Sequence, residues 1–205
     1  MYKCIAFVAR IHGYTAVKHL VENESNYEII GIFTHKLNPK SYDPQRKIRN
    51  DFKNFENFAN LHNIPFFHID TKEEKSQIEQ FVLVNNYDFL LSISWRYIIP
   101  PNIFSKSKIG SINIHRGDLP KYAGVEPIKK ALLNNEKEIA VSSHIIEETI
   151  DSGEILCKQF HPCNYDLDCT LNDNIERLKK EITPYFSELT MKSFKILLEK
   201  NHDKK

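Results

Sequence analysis

The alternation of short apolar runs with amphipathic stretches fills the first hundred residues and constrains the fold more than any other feature. Cys4 to Ala9, Glu28 to His35, Pro65 to Ile69 and Asp88 to Ile93 have the length and apolar content of strands. Between them, Tyr14 to Glu22 reads as a helix. Phe52, Phe55, Phe58, Ala59 and Leu61 recur at helical spacing in a segment ending near Asn63, and Lys72 to Val84 reads as a third helix. Asn38 to Asn50 is polar, holds two prolines and is expected to be a loop. Successive strands joined through helices run parallel, by right-handed crossovers. The chain is therefore expected to be α/β: a Rossmann-like open, mainly parallel twisted sheet with helices on both faces.

Pro100-Pro101 forces a break, followed by a turn around Ile103 and Phe104. Ile109 to His115 reads as a strand, and Pro127 to about Asn134 as a helix with proline in its first turn. Ala140 to Ile146 and Glu154 to His161 read as two more strands joined by the loop 147–153. Thr170 to Lys200 is helical, with Pro184 as the break between two segments. The expected organisation is one catalytic domain over 1–205, with an α/β core to about residue 165 and C-terminal helices over about 170–200.

With 205 residues, the chain can bury a full core of its own. A hydrophobic share of 41% and a charged share of 27% place it among soluble globular proteins. A net charge of +1 gives no electrostatic reason to bind nucleic acid or a membrane surface. Cys4, Cys157, Cys163 and Cys169 form no Cys-x-x-Cys and match no zinc spacing, so no metal is expected. No stretch approaches 18 apolar residues, and the N-terminal apolar run is too short for a signal sequence; a cytoplasmic protein is expected.

Chemistry concentrates after residue 110. Ser111-Ile112-Asn113-Ile114-His115 alternates polar and apolar, so Asn113 and His115 project from the same face, about 7 Å apart along the backbone. The turn-rich loop Arg116 to Gly124 follows, and further on comes Ile150-Asp151-Ser152-Gly153. Ligands of open α/β sheets bind outside the carboxyl ends of the strands, where His115, the Trp95 region and the 147–153 loop all fall. Singly, each polar residue has a structural reading: Asn113 as a strand-end cap, His115 as a satisfied core histidine, Asp151 as a turn residue. An amide, an imidazole and a carboxylate gathered at one strand end suit proton transfer around a tetrahedral intermediate.

This ordered set resembles the folate-dependent formyltransferases: Asn113-Ile-His115, the loop Leu119-Pro-Lys-Tyr-Ala-Gly124, and Asp151-Ser-Gly153 about 35 residues later. The resemblance is dense from roughly Tyr87 to Leu156. It implies a catalytic trio of Asn113, His115 and Asp151. Asn113 would donate to the developing oxyanion, His115 would relay protons from a near-neutral pKa, and Asp151 would take the amine proton or hold a proton-transferring water. A partly buried Asp151 is expected to have a raised pKa. The formyl donor implied is 10-formyltetrahydrofolate. Ser94, Trp95, Arg96, Tyr97 and Ile98 would wrap its pterin, with Ile146, Glu147, Glu148, Thr149 and Ile150 closing the other side. Trp95 reads equally as a core anchor. Arg96 calls for an anionic or carbonyl partner. For the acceptor, Arg116, Gly117, Asp118, Lys121 and Tyr122 are the candidates, with Tyr122 offering a flat face to a base or sugar.

Among formyltransferases, the runs Ser94 to Pro100 and Gly117 to Gly124 look most like the sugar N-formyltransferases of lipopolysaccharide O-antigen biosynthesis. The partner implied is a small molecule, a nucleotide-linked amino sugar, and a homodimer is open. Two alternatives stand beside it. Methionyl-tRNA formyltransferase carries a second domain and a basic surface, which the near-neutral charge and the end near Lys200 count against; many sugar formyltransferases add a C-terminal region, and the chain is expected to be a core-only version of those. Glycinamide ribonucleotide formyltransferase has a Gly-rich phosphate loop where this chain reads Ala9-Arg10-Ile11-His12-Gly13-Tyr14. A formyl-folate hydrolase and a catalytically silent folate- or nucleotide-binding module complete the alternatives. A nicotinamide-dependent oxidoreductase fits less, because no Gly-x-Gly-x-x-Gly follows the first strand.

Overall fold

The computed structural model describes residues 1–203. Strands β1 (Tyr2–Val8), β2 (Tyr27–Thr34), β3 (Phe66–His68), β4 (Phe89–Ile93), β5 (Gly110–His115), β6 (Glu138–Ile145) and β7 (Ile155–Pro162) form one sheet in the order β3-β2-β1-β4-β5-β6-β7. Helices α1 (Arg10–Asn23), α2 (Phe52–Leu61), α3 (Ser76–Val84), α4 (Pro101–Phe104), α5 (Pro127–Leu133), α6 (Leu171–Glu181) and α7 (Thr183–His202) complete the fold. The pairs from β3 to β5 are parallel, and β6 and β7 are antiparallel additions at one edge.

Residues of β1 and β4 enter two cores by the period of the pleat. Cys4, Ala6 and Val8 join Phe89, Leu91 and Ile93 beneath α1, α2, α5, α6 and α7. Ile5, Phe7 and Leu90 join Phe33 beneath α3 and α4. The helices thus divide unequally between the faces. On the larger side, Phe89 and Phe194 stack with ring centroids 4.0 Å apart. Burying such side chains supplies roughly 2 to 3 kcal/mol each before entropy is charged.

Among the boundaries that differ from the sequence pattern, three concern helices. Helix α1 begins at Arg10, four residues early, because its Ala9 N-cap carries no side-chain signal. The third helix opens with a separate 3₁₀ turn over Glu73–Lys75 before α3. The C-terminal helices part at Ile182, and Pro184 stands in the first turn of α7, where its missing N–H leaves no bond unmade.

This topology fixes where a ligand can go. Strand order reverses between β1 and β4, and the carboxyl ends of β1, β4 and β5 stand side by side. A cleft of about 570 Å³ opens there, lined by Ala9 and Arg10 after β1, His35 after β2, Ser94 to Ile99 after β4, and Asn113 to Arg116 at the end of β5.

Candidate active site

Strand β5 alternates as its sequence predicts: Ile112 and Ile114 enter the larger core, while Asn113 and His115 face the cleft. Antiparallel pairing sets His144 of β6 directly opposite Asn113. Cross-strand partners share a face, so the imidazole of His144 joins the site. Asp151 comes from the loop between β6 and β7 and has a left-handed backbone, φ 53°. That conformation is uncommon outside glycine, but aspartate and asparagine tolerate it. Gly153 permits the loop to close: a Cβ there would land on the carbonyl of Ile145.

Four side chains converge on the floor. The Asp151 carboxylate accepts the Asn113 amide N–H on Oδ1 (3.3 Å) and the Gly124 backbone N–H on Oδ2 (2.8 Å). The Nδ1 of His115 lies 3.4 Å from Oδ2, and the Nε2 of His144 lies 3.4 Å from Oδ1. The second amide N–H of Asn113 points at the His144 Nε2, 3.1 Å away. The imidazoles are pinned from behind: Nε2 of His115 donates to the Tyr122 carbonyl (2.8 Å), and Nδ1 of His144 donates to the Ile145 carbonyl (2.8 Å). A carbonyl only accepts, so those nitrogens carry the protons and each ring turns its other nitrogen toward Asp151. The lone pair of a neutral His115 and the Asp151 carboxylate thus face one another with room for one proton between them.

Burial pushes the Asp151 carboxyl up, but the neighbouring His144, the charge that His115 takes on when protonated and the Gly124 N–H together hold it below its ordinary value. This corrects the expectation of a raised pKa: the site is dry, yet it is rich in donors to the ionised form. Burial also holds His115 below the usual imidazole range, with Asp151 and the Tyr122 carbonyl opposing that shift. At neutral pH the pair is a carboxylate beside a neutral imidazole.

The cleft walls are the two segments that flank this floor. Ser94 (φ 57°), Trp95, Arg96, Tyr97 and Ile98 line one side, and Ile146, Glu147, Glu148, Thr149 and Ile150 line the other. Trp95 is half-buried: it stacks on His35 at 4.1 Å and meets Phe7 edge-on at 5.2 Å. Arg96 donates its backbone N–H to the His35 Nε2 (3.2 Å) and a guanidinium N–H to the Leu37 carbonyl (2.5 Å), with Asp70 3.8 Å away. Tyr97 donates to the Asp70 carbonyl at 3.1 Å. These contacts fix the backbone of 95–97 as part of the wall.

Of the candidates for the acceptor, Arg116 lines the cleft, and Gly117, Asp118, Lys121 and Tyr122 do not. Asp118 pairs with Lys158 at 2.6 Å, and Lys121 with Glu136 at 2.5 Å. Tyr122 is 5% exposed; its hydroxyl donates to Glu136 (2.6 Å) and accepts from Asn134 (3.1 Å). It therefore has no free face for a base or sugar, and it serves the site through the carbonyl that holds His115. A Cβ at Gly117 would meet the Tyr122 carbonyl oxygen at 2.6 Å and the His115 Nε2 at 2.7 Å, so this glycine allows the close approach. His144 and Arg10 were not foreseen. The signal for His144 was an imidazole closing the run of apolar and small residues from Ile139 to Ser143, but only the antiparallel register sets it opposite Asn113.

Fold and floor together define an α/β protein with a carboxylate–imidazole–amide site at its topological switch point. Residues 8–185 match the model of the formyl transferase family, and the chain belongs to that family. It is 33% identical over 147 residues to the methionyl-tRNA formyltransferase of Orientia tsutsugamushi (strain Boryong), covering 71% of this chain and 46% of that protein. It is 30% identical over 142 residues to that of Helicobacter pylori (strain P12), covering 68% and 44%. The chain spans about half the length of these curated relatives. Glycinamide ribonucleotide transformylase 1 from Geobacillus kaustophilus superposes with a TM-score of 0.72 at 19% identity, over 97% of this chain and 99% of that one. WlaRD, a sugar 3N-formyl transferase crystallised in the presence of dTDP and 5-N-formyl-THF, superposes with a TM-score of 0.59 at 24% identity, over 95% and 63%. These likenesses carry the fold.

Proposed function

We propose that the chain transfers a formyl group from 10-formyltetrahydrofolate to the amine of a nucleotide-linked amino sugar, in the cytoplasm, with Asn113, His115 and Asp151 as its catalytic residues. The observation that carries this reading is the floor itself, where a low-pKa carboxylate, two pinned imidazoles and an amide meet at one end of a cleft. The donor's pterin would lie between the 94–98 and 146–150 walls, bringing its formyl carbon over the floor.

The neutral acceptor amine attacks the formyl carbon, forming a C–N bond and placing negative charge on the formyl oxygen. Asn113 turns one amide N–H from its resting partners to that oxygen, a donation worth about 3 kcal/mol in a dry site. The attacking nitrogen gives up one proton to Asp151, and the proton lodges in the slot shared with His115. The tetrahedral carbon then releases the folate nitrogen, which takes the proton back. One C–N bond forms, one breaks, and the products are a formamide and tetrahydrofolate.

A second reading has its own support: the curated relatives reported above are methionyl-tRNA formyltransferases, matched across just under half of their length. The acceptor separates the two. Purified protein is incubated with 10-formyltetrahydrofolate and a panel of amino-sugar nucleotides, glycinamide ribonucleotide and methionyl-tRNA, and each acceptor is weighed for one added formyl mass. Gain on an amino-sugar nucleotide alone is expected, and gain on methionyl-tRNA alone would replace this reading with the second. Asp151→Asn and His115→Ala should each lower turnover at least about 100-fold while folate still binds. Full turnover in either variant would remove the catalytic assignment.

A further inference from the structure

Four arginines line the cleft: Arg10, Arg49, Arg96 and Arg116, of which Arg96 is held by the Leu37 carbonyl and Asp70. Arg49 is spoken for. Its fully buried guanidinium forks onto Asp51 at 2.9 and 2.5 Å and reaches the His35 carbonyl at 2.6 Å. Arg10 and Arg116 differ. Among the described residues, neither guanidinium has a carboxylate at ion-pair distance or a hydrogen-bond acceptor. Asp51 and Glu176 act on Arg10, and Glu176 on Arg116, only from farther away. Burial depresses the pKa of both, and the charge of Arg10 lowers that of Arg116 further. Two partly desolvated cations of like charge lining one cleft are costly without a counter-ion, and a bound anion would offset that cost.

The geometry adds a second group. Arg10 has a left-handed backbone, φ 63°, at the first position of α1, and the Ala9 N-cap offers no side chain to the helix end. The Arg10 guanidinium lies 5.8 Å from the ring centroid of Tyr42. Tyr42 is 76% exposed, on a turn held by its N–H to the Pro39 carbonyl (3.0 Å), and Pro39 itself lines the cleft. An exposed aromatic ring beside an unpaired guanidinium suits a heteroaromatic base joined to phosphate.

We propose that Arg10, Arg116 and Tyr42 form the subsite for the nucleotide half of the acceptor, the two guanidiniums taking its phosphates and the Tyr42 ring taking the face of its base. The order along the cleft fits such a ligand. Arg116 adjoins His115 in the chain, Arg10 is close enough for its charge to act on Arg116, and Tyr42 stands beside Arg10, so the three groups continue from the floor toward the cleft edge. This inference rests on the sugar-nucleotide reading for the identity of its ligand, and it supplies the recognition that the buried Tyr122 does not.

The test is binding, which needs no turnover. The whole chain is titrated calorimetrically with dTDP, UDP, GDP and inorganic pyrophosphate, and separately with 5-formyltetrahydrofolate, which doubles as the folding control. Arg10→Gln and Arg116→Gln should each weaken pyrophosphate and the preferred nucleoside diphosphate at least about tenfold, and leave 5-formyltetrahydrofolate within about twofold. Tyr42→Ala should weaken the nucleoside diphosphate about tenfold and leave pyrophosphate unchanged. The subsite is overturned if wild type binds none of the diphosphates, or if the arginine variants lose 5-formyltetrahydrofolate instead, which would assign the cations to the donor's carboxylates. A protein that formylates methionyl-tRNA but binds no diphosphate loses the subsite and keeps formyl transfer. One that binds dTDP through both arginines and formylates nothing keeps the subsite and loses formyl transfer.

Discussion

Asp151 holds its charge in a left-handed turn, with four donors or imidazole nitrogens around two oxygens. His144 stands against both partners: its Nε2 lies 3.1 Å from the Asn113 amide nitrogen and 3.4 Å from Asp151, whose pKa it lowers. It is a positioning residue. In His144→Ala, the Asn113 amide loses its acceptor and the Asp151 pKa rises toward its ordinary value. Turnover should fall roughly 10- to 100-fold, and the acid limb of the pH–rate profile should move to higher pH. An acid limb left in place would show that His144 does not tune the carboxylate. At this scale Asn113, His115 and Asp151 were legible because their residue types and order are chemical statements. The ionisation of Asp151 was not, because it depends on residues 124 and 144 being brought against the carboxylate.

At the scale of elements, the site depends on how two loops return to β5. The 116–124 loop is a scaffold: Asp118 to Lys158, Lys121 and Tyr122 to Glu136, and the Tyr122 carbonyl to His115. The β6–β7 connection is the other, and it closes only because the backbone of Gly153 meets Ile145 with no Cβ between. Gly153→Ala should displace Asp151 more than it unfolds the sheet. Folate-dependent turnover should be lost, while far-ultraviolet circular dichroism stays native and urea stability falls about 1 to 3 kcal/mol. Unaltered turnover in this variant would mean that the loop tolerates the side chain and the tight approach is incidental. Sequence pattern located both loops by their Gly and Pro content, but it assigned Tyr122 to the ligand. An aromatic in a loop gives no sign that a glutamate 14 residues on will draw its hydroxyl inward.

Across the whole molecule, burial of two histidines that take no part in the proposed reaction, His12 and the cleft-wall His35, makes the fold acid-sensitive. His12 packs on Phe186 with ring centroids 4.4 Å apart and donates to the Lys179 carbonyl; its Nδ1 is buried without a partner. His35 lies under Trp95. Burial drives both pKa values down to about 3. The unfolded chain therefore binds protons at a pH where the native chain does not, and stability falls as pH drops from 6.5 towards about 3. Between pH 6.5 and about 5 each histidine should remove about 2 kcal/mol. In His12→Phe, the difference in urea stability between about pH 7 and about pH 5 should shrink by about 2 kcal/mol; an unchanged difference would locate the acid sensitivity elsewhere. No helix among the described residues is long and apolar enough to cross a membrane.

The sequence by itself determined the strand-helix alternation, the parallel core and three of the four groups on the floor. Those follow from local periodicity and from residue chemistry, which a chain states in order. Tertiary structure decided which face His144 joined, that Tyr122 would be buried, and that Arg10 and Arg116 would share a corner without a counter-ion. Each of these depends on a pairing register or a close approach between residues far apart in the chain, and no local pattern encodes a distance between them.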